Sequence, residues 1–306
     1  MDVWGGGVVT DIASYAVLAS ETYYKDYVDT SSNGSKGLRG LPWPDCARWF
    51  SIGECENGHR FVKVRLCGKE WCPVCGAKDS WIHFRRFSRW LVKAQQMRDM
   101  GYFVVEWPLA SRHELRSKQA MVDMGKRVKG AFQALGFDRG LRRWHFFGKH
   151  GDKFNPHINV LVESAYLSKQ RLKYIKSYLR LVLGEPGLIV NYSYRQTVAR
   201  KVHSLKYITR ATFLDLSWDP WLANDLYNFQ NTNYWGKWKD DPAWQMDRGR
   251  KGVGDLVALE SGMCCHCGTP IRWDGRVLSI VWLQMWEAAG MMQAVGGGYF
   301  EFVDSG

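Results

Sequence analysis

Between residues 101 and 211 the apolar residues alternate between the two-residue spacing of strands and the 3.6-residue spacing of helices, and this restricts the fold more than any other feature of the chain. Residues 102–107 are aromatic and β-branched and stop at Pro108, as a strand does. A helical pattern covers 113–135, and strands follow at 141–148 and 156–163. Ser168 then caps a basic helix over 169–183 that ends at Gly184-Glu185-Pro186-Gly187, and a strand at 188–194 leads into a helix at 198–210. The order β-α-β-β-α-β-α predicts an α+β fold. Its core is a ferredoxin- or RRM-like antiparallel sheet with helices on one face and the other face open to carry a site.

Cysteines frame this core. Cys55-x3-His59 and Cys67-x4-Cys72-Pro73-Val74-Cys75-Gly76 precede it, and the Cys72-x2-Cys75-Gly76 turn has the spacing with which one tight turn presents two thiolates to zinc. Four of Cys55, His59, Cys67, Cys72 and Cys75 are expected to hold a structural Zn²⁺. After the core, Cys264-Cys265-His266-Cys267-Gly268 repeats the knuckle, with ribbon strands expected at 271–273 and 277–280. Cys264 and Cys267 are expected on a second zinc, with its remaining ligands open among His266, Cys265, Cys46 and donors of the first cluster. Cysteine clusters of this kind indicate metal ligation rather than disulfides, hence a reducing, cytoplasmic compartment.

The chain thus divides into a partly ordered segment (1–44), a zinc-binding module with a basic helix (45–100), the sheet core (101–211), a Trp-rich irregular segment (212–262) and a C-terminal zinc ribbon-like segment (263–306). In the basic helix, residues 81–98, Phe84, Phe87, Leu91 and Ala94 recur at helical spacing, and Arg85, Arg86, Arg89 and Lys93 between them are expected on a solvated face. The apolar run 277–295 carries Gln284, Glu287 and Gln293 and reads as a packed helix, not a membrane span, and residues 1–7 carry no basic signal-peptide region. No membrane partner is expected.

A formal charge of +12 and a pI near 9.3 point to a polyanionic partner, nucleic acid first. The same chain carries 16 Trp, 14 Tyr and 14 Phe, and rings beside cations suit unstacked bases better than a closed duplex. Trp218, Trp221, Trp235, Trp238 and Trp244 form either a stacking platform or an apolar wrap over the sheet.

Within the core, Pro156-His157-Ile158-Asn159 places two polar side chains on one face of a strand and the apolar ones on the other. A hairpin with the preceding strand brings His145 to the same face, and three neutral N/O donors suit Mg²⁺ or Mn²⁺ with positions left for phosphate oxygens. On the last helix, His203, Tyr207 and Arg210 share a face beside Lys206, so Tyr207 is a candidate nucleophile flanked by cations.

These residues resemble the HUH endonuclease superfamily, specifically rolling-circle replication initiator (Rep) proteins of the single-Tyr class. The match runs in the family's order over residues 101–211: the apolar strand 102–108, the His-hydrophobic-His strand as Pro156-His157-Ile158-Asn159, and the tyrosine helix as Tyr207-Ile208-Thr209-Arg210. The motif's second His is Asn159 here, and Arg210 stands where many members have Lys. The resemblance implies a catalytic Mn²⁺ or Mg²⁺ on His157 and Asn159, with His145 or His203 as third ligand and Glu163 as a weaker option. It further implies Tyr207 as nucleophile with Lys206 and Arg210 beside it, single-stranded DNA at a plasmid or viral replication origin as substrate, and a host or replicon helicase and polymerase as partners. No G-x4-G-K-[ST] motif is present, so strand separation falls to a partner. Two other readings share parts of this pattern: a single-strand transposase of the same superfamily, and a non-catalytic zinc-ribbon nucleic-acid binder.

Overall fold

Three core helices begin where a hydroxyl accepts from an otherwise unpaired backbone N–H. In the computed structural model, which describes residues 46–69, 72, 80–147, 153–210, 212, 219–226, 229–246 and 252–303, Ser117, Ser168 and Thr197 accept from the amides of Ala120, Arg171 and Arg200 at 3.2–3.3 Å. The expected lead-in at 1–44 lies outside the described residues. Two strands, β1 (Trp49–Cys55) and β2 (Arg60–Val64), and a helix α1 (Trp81–Gln95) precede the core. The core runs β3 (Met100–Glu106), a 3₁₀ turn (Leu109–Leu115), α2 (Lys118–Ala134), β4 (Gly140–Phe147), β5 (Phe154–Glu163), α3 (Lys169–Leu183), β6 (Ile189–Arg195) and α4 (Val198–Thr209). After it come α5 (Pro220–Asp225), β7 (Thr232–Trp235), α6 (Val253–Glu260), β8 (Ile271–Trp273), β9 (Leu278–Ser279), α7 (Ile280–Ala288), β10 (Met292–Gly296) and β11 (Tyr299–Phe302).

The fold is α+β with two antiparallel sheets. The core sheet has the order β6-β3-β5-β4-β7. Alternation along its strands sends Phe103, Val105, Trp144, Phe146, Ile158, Val160 and Val162 into a cluster with Phe132 of α2 and Ile175 and Leu179 of α3. The other face does not stay open as expected. Tyr102, Leu141 and Leu161 pack there against Phe87 and Leu91 of α1 and Val202, Leu205 and Ile208 of α4, because those helices carry apolar stripes that need a partner as much as the sheet does.

The boundary expected at residue 211 also fails. β7 extends the core sheet by pairing with β4, and Gly140 makes this possible: the Trp235 indole lies directly against its backbone, where a Cβ would overlap the ring. The tryptophans of 212–262 are accordingly mostly wrap. Trp235 and Trp244 are buried while Trp221 is 79% exposed, and Trp218 lies outside the described residues.

The segments flanking the core share one sheet, β10-β11-β2-β1-β8, with β9 also on β1. The run 277–295, expected as one helix, is the nine-residue α7 followed by strand β10. Gly290, at φ +70°, ends the helix, and the Gly296–Gly298 turn folds β10 back on β11. Among the described residues no helix is long and apolar enough to cross a membrane.

Helix α1 joins the two sheets through neighbouring arginines that the sequence pattern placed in solvent. Arg85 is 6% exposed and donates to the carbonyls of Gly297 (2.6 Å) and Val64 (2.9 Å), with Glu260 of α6 at 3.6 Å. Arg86, 8% exposed, turns the other way and donates to the Thr209 carbonyl at 2.8 Å, at the C-terminal end of α4. His83 meets the Lys206 carbonyl at 3.1 Å. Carbonyls of the last helical turn have no partner inside their own helix, so cationic or N–H donors there both satisfy and orient them.

Candidate active site

The register of three strands builds a row of side chains. His157 of β5 lies opposite His145 of β4 on one side and Glu106 of β3 on the other, and the next row holds Asn159 opposite Arg143 and Val104. His157 and Asn159 therefore share a face as their spacing requires, and His145 joins them; the face is the one covered by α1 and α4. The two imidazole centroids are 5.4 Å apart.

Each histidine spends one ring nitrogen on a backbone carbonyl. His157 Nδ1 meets the Asn155 carbonyl at 2.8 Å and His145 Nε2 meets that of Ile208 at 3.1 Å. An N–H donated there fixes the tautomer and leaves the lone pairs on His157 Nε2 and on His145 Nδ1, which is buried without a hydrogen-bond partner. Burial lowers the pKa of both, that of His145 well below the ordinary value, with His157 and nearby arginines adding to the effect there. Both imidazoles are thus neutral near pH 7, the form that ligates a metal.

Asn159 is fully buried, and its Oδ1 accepts a hydrogen bond from the Tyr102 hydroxyl while Nδ2 has no partner. Burial raises the Tyr102 pKa far above its ordinary value, so the phenol stays a donor. A carbonyl oxygen has two lone pairs, and one remains on Asn159 after this bond.

Tyr207 approaches from α4, its ring centroid 5.4 Å from that of His145. The Arg210 guanidinium lies 4.1 Å from the Tyr207 centroid and its Nη2 donates to the phenol oxygen at 3.1 Å. Lys206 is half-buried beside it, and its backbone takes the His83 contact. His203, the alternative third ligand, is exposed one turn earlier. Glu163 lies six residues beyond His157 on β5, roughly 20 Å away at strand rise, and is engaged by Arg139 at 2.6 Å. Of the other core tyrosines, Tyr194 donates to Asp99 at 2.6 Å and Tyr192 packs on Phe103.

Glu106 is the site residue that sequence reasoning missed. It faces His157 across the strand pair and holds Arg112 at 3.0 Å. The available signal was parity: four residues on from Tyr102 it shares that residue's face. Among the described residues, the ligand atoms of Glu106, His145 and His157 do not form a group lying within 4.8 Å of one another.

Three other groups do. Cys55, His59, Cys264 and Cys267 form one, Cys46, Cys67 and Cys72 a second, and Cys265, His266 and Glu301 a third. Each could hold a metal ion, and the first two have the thiolate-rich chemistry of zinc sites. The ligand set expected from spacing is corrected here: Cys55 and His59 leave Cys67 and Cys72 and complete the C-terminal knuckle, while Cys46 joins Cys67 and Cys72. Cys75 lies outside the described residues.

Compared with protein-family models, curated proteins and solved structures, the chain matches none.

Proposed function

We propose that the protein is a metal-dependent nickase and strand transferase for single-stranded DNA, of the rolling-circle initiator type, with Tyr207 as nucleophile. The observation that carries this reading is the convergence of Tyr207, capped by Arg210, on His145 at the edge of the His157–Asn159 row. The strand order β6-β3-β5-β4, with helices following β3 and β5, supports a ferredoxin-like core of the kind this chemistry uses.

The donor types, though Glu106, His145 and His157 do not gather their ligand atoms within 4.8 Å, are those a hard divalent ion takes: two neutral imidazoles anchored by backbone carbonyls, an amide oxygen with a spare lone pair, and a carboxylate alongside. His145, His157 and Asn159 would hold Mn²⁺ or Mg²⁺, whose charge would stabilise a phosphodiester oxygen. The Tyr207 oxygen attacks phosphorus and gives up its proton to solvent; the bond to the 3′ oxygen breaks, that oxygen takes up a proton as a 3′-OH, and DNA stays attached as a 5′-phosphotyrosine. Arg210 donates to the Tyr207 oxygen, and the same guanidinium is placed to meet the charged phosphoryl group. Attack by a 3′-OH reverses the step without ATP. Zinc at the cysteine groups is structural in this reading. A host or replicon helicase and polymerase act downstream, in a cytoplasmic setting. A transposase would use the same residues and differ in the DNA ends it cuts.

A pool of 3′-labelled single-stranded oligonucleotides incubated with Mn²⁺ and run on a denaturing gel tests the reading, because the 3′ fragment is the one that stays on the protein. A covalent adduct mapped by mass spectrometry to Tyr207, absent in Tyr207→Phe, is the expected result. No adduct in the wild-type protein, or one mapped to Tyr192 or Tyr194, refutes it.

A further inference from the structure

A zinc knuckle supplies two ligands and leaves two to be found, and this fold brings the second pair from the far end of the chain. Cys264 and Cys267 sit on a turn closed by the Gly268 amide on the Cys264 carbonyl (2.9 Å), with Gly268 at φ +71° where a side chain would strain. Cys55 ends β1 and His59 precedes β2, on a turn closed by the Cys55 amide on the His59 carbonyl (3.1 Å) with Gly58 at φ +81°. Pairing of β1 with β8, Cys55 opposite Ile271, sets the two turns face to face.

The distances between the four donors test what fits between them. Cys55 Sγ is 3.3 Å from His59 Nδ1 and 3.7 Å from Cys267 Sγ, and Cys264 Sγ is 3.6 Å from His59 Nδ1. A tetrahedral zinc with Zn–S near 2.3 Å and Zn–N near 2.05 Å requires edges of about 3.8 Å between sulfurs and about 3.5 Å between sulfur and nitrogen. Sulfurs at 3.7 Å are also well beyond the roughly 2.05 Å of a disulfide. The Thr269 hydroxyl lies 3.1 Å from Cys267 Sγ, the position of a hydrogen-bonding neighbour that orients a ligand.

We infer that Cys55, His59, Cys264 and Cys267 form a single Cys₃His zinc site whose two ligand pairs, 205 and 212 residues apart by their cross-contacts, lock the two ends of the described chain together around the core. Cys265 points into a different group and is no part of it. The site holds β1, β8 and the turn after α6 in one body, and α6 in turn places Glu260 against Arg85 and Arg89 at 3.6 and 3.2 Å.

Metal counting separates this arrangement from two independent sites. Zinc per chain is measured by plasma mass spectrometry in the full-length protein and in Cys55→Ser, Cys267→Ser and the double variant. One shared site predicts that each single variant loses one equivalent and that the double variant loses the same one and no more. Loss of two equivalents in the double variant, or full retention in either single variant, overturns the inference. Cys264→His, which keeps four ligands, guards against a general failure to fold: after Co²⁺ substitution it retains the full metal count, and the thiolate-to-cobalt absorption of this site falls by about one third, one thiolate of the three having gone. Cys265→Ser leaves the thiolate-to-cobalt absorption of the Cys55–His59–Cys264–Cys267 site unchanged; a drop of one third there refutes the ligand set. None of these readings depends on DNA cleavage.

Discussion

Removing the Tyr102 hydroxyl isolates the polar pair at the centre of the candidate site. In Tyr102→Phe the ring still fills its place between β3 and α4, but Asn159 Oδ1 loses its donor in a position with no solvent exposure, and Nδ2 already has no hydrogen-bond partner. Stranding a buried acceptor costs about 1–3 kcal/mol, and removing the phenol also spares the desolvation of its own O–H, so the expected loss is about 1.5–2 kcal/mol. Because the two sheets need not open together, the measurement is hydrogen exchange of β5 peptides, which reports the opening of the core sheet itself. The expected change is a roughly tenfold to thirtyfold faster exchange of the slowest β5 amides, as a factor of ten corresponds to about 1.4 kcal/mol. A double-mutant cycle with Asn159→Ala then isolates the pair: the Tyr102→Phe penalty falls by about 1 kcal/mol or more once the amide is gone. If Tyr102→Phe leaves β5 exchange unchanged, or costs as much in the Asn159→Ala background, the hydroxyl does not hold Asn159 and the account of this row is wrong.

Other perturbations have equally definite outcomes. His157→Ala is expected to lower single-strand nicking by at least a hundredfold while oligonucleotide affinity by fluorescence anisotropy changes less than about threefold, because binding rests on many basic contacts. Equal losses in both would remove His157 from the chemistry. The histidine pKa values, lowered by burial, set a pH dependence. Between the unfolded value near 6.5 and the lower folded values the unfolded chain binds more protons, so stability falls as pH drops below about 6.5 and is flat in this respect above it. A thermal-melt series at pH 7.5 to 5 reads this, and His145→Phe is expected to flatten the slope. Gly140→Ala drives a methyl group into the Trp235 indole and is expected to cost about 1–3 kcal/mol, seen as faster exchange at β7 before the rest of the sheet.

The sheet core was legible because periodicity is a local property. The strand at 156–163 and the helices at 169–183 and 198–210 follow from spacing and caps within one segment, and His145 opposite His157 follows from a short hairpin. What could not be read is what depends on distant partners. Arg85 and Arg86 look like solvated charges until the Gly297 and Thr209 carbonyls arrive from other elements. β7 is four residues among tryptophans with no alternation to announce it. Pairing of Cys55 and His59 with Cys264 and Cys267 is invisible to spacing, because proximity in sequence favours Cys67 and Cys72, and only the pairing of β1 with β8 reverses that preference. Glu106 was hidden for a simpler reason, since one carboxylate at a strand end is ordinarily surface.

The sheet shared by β1, β2, β8 and β11 also has a history during synthesis. Its first two strands leave the ribosome before the core begins, and they cannot acquire their outer neighbours until some two hundred residues later. Chains fold from the N-terminus as they emerge, and closing a loop of this length costs on the order of 5 kcal/mol in entropy. The core sheet with its three helices is therefore built first, and the β1–β2 hairpin waits as an open-edged fragment. Only residues 271–302 complete it, so assembly of this sheet follows that of the core.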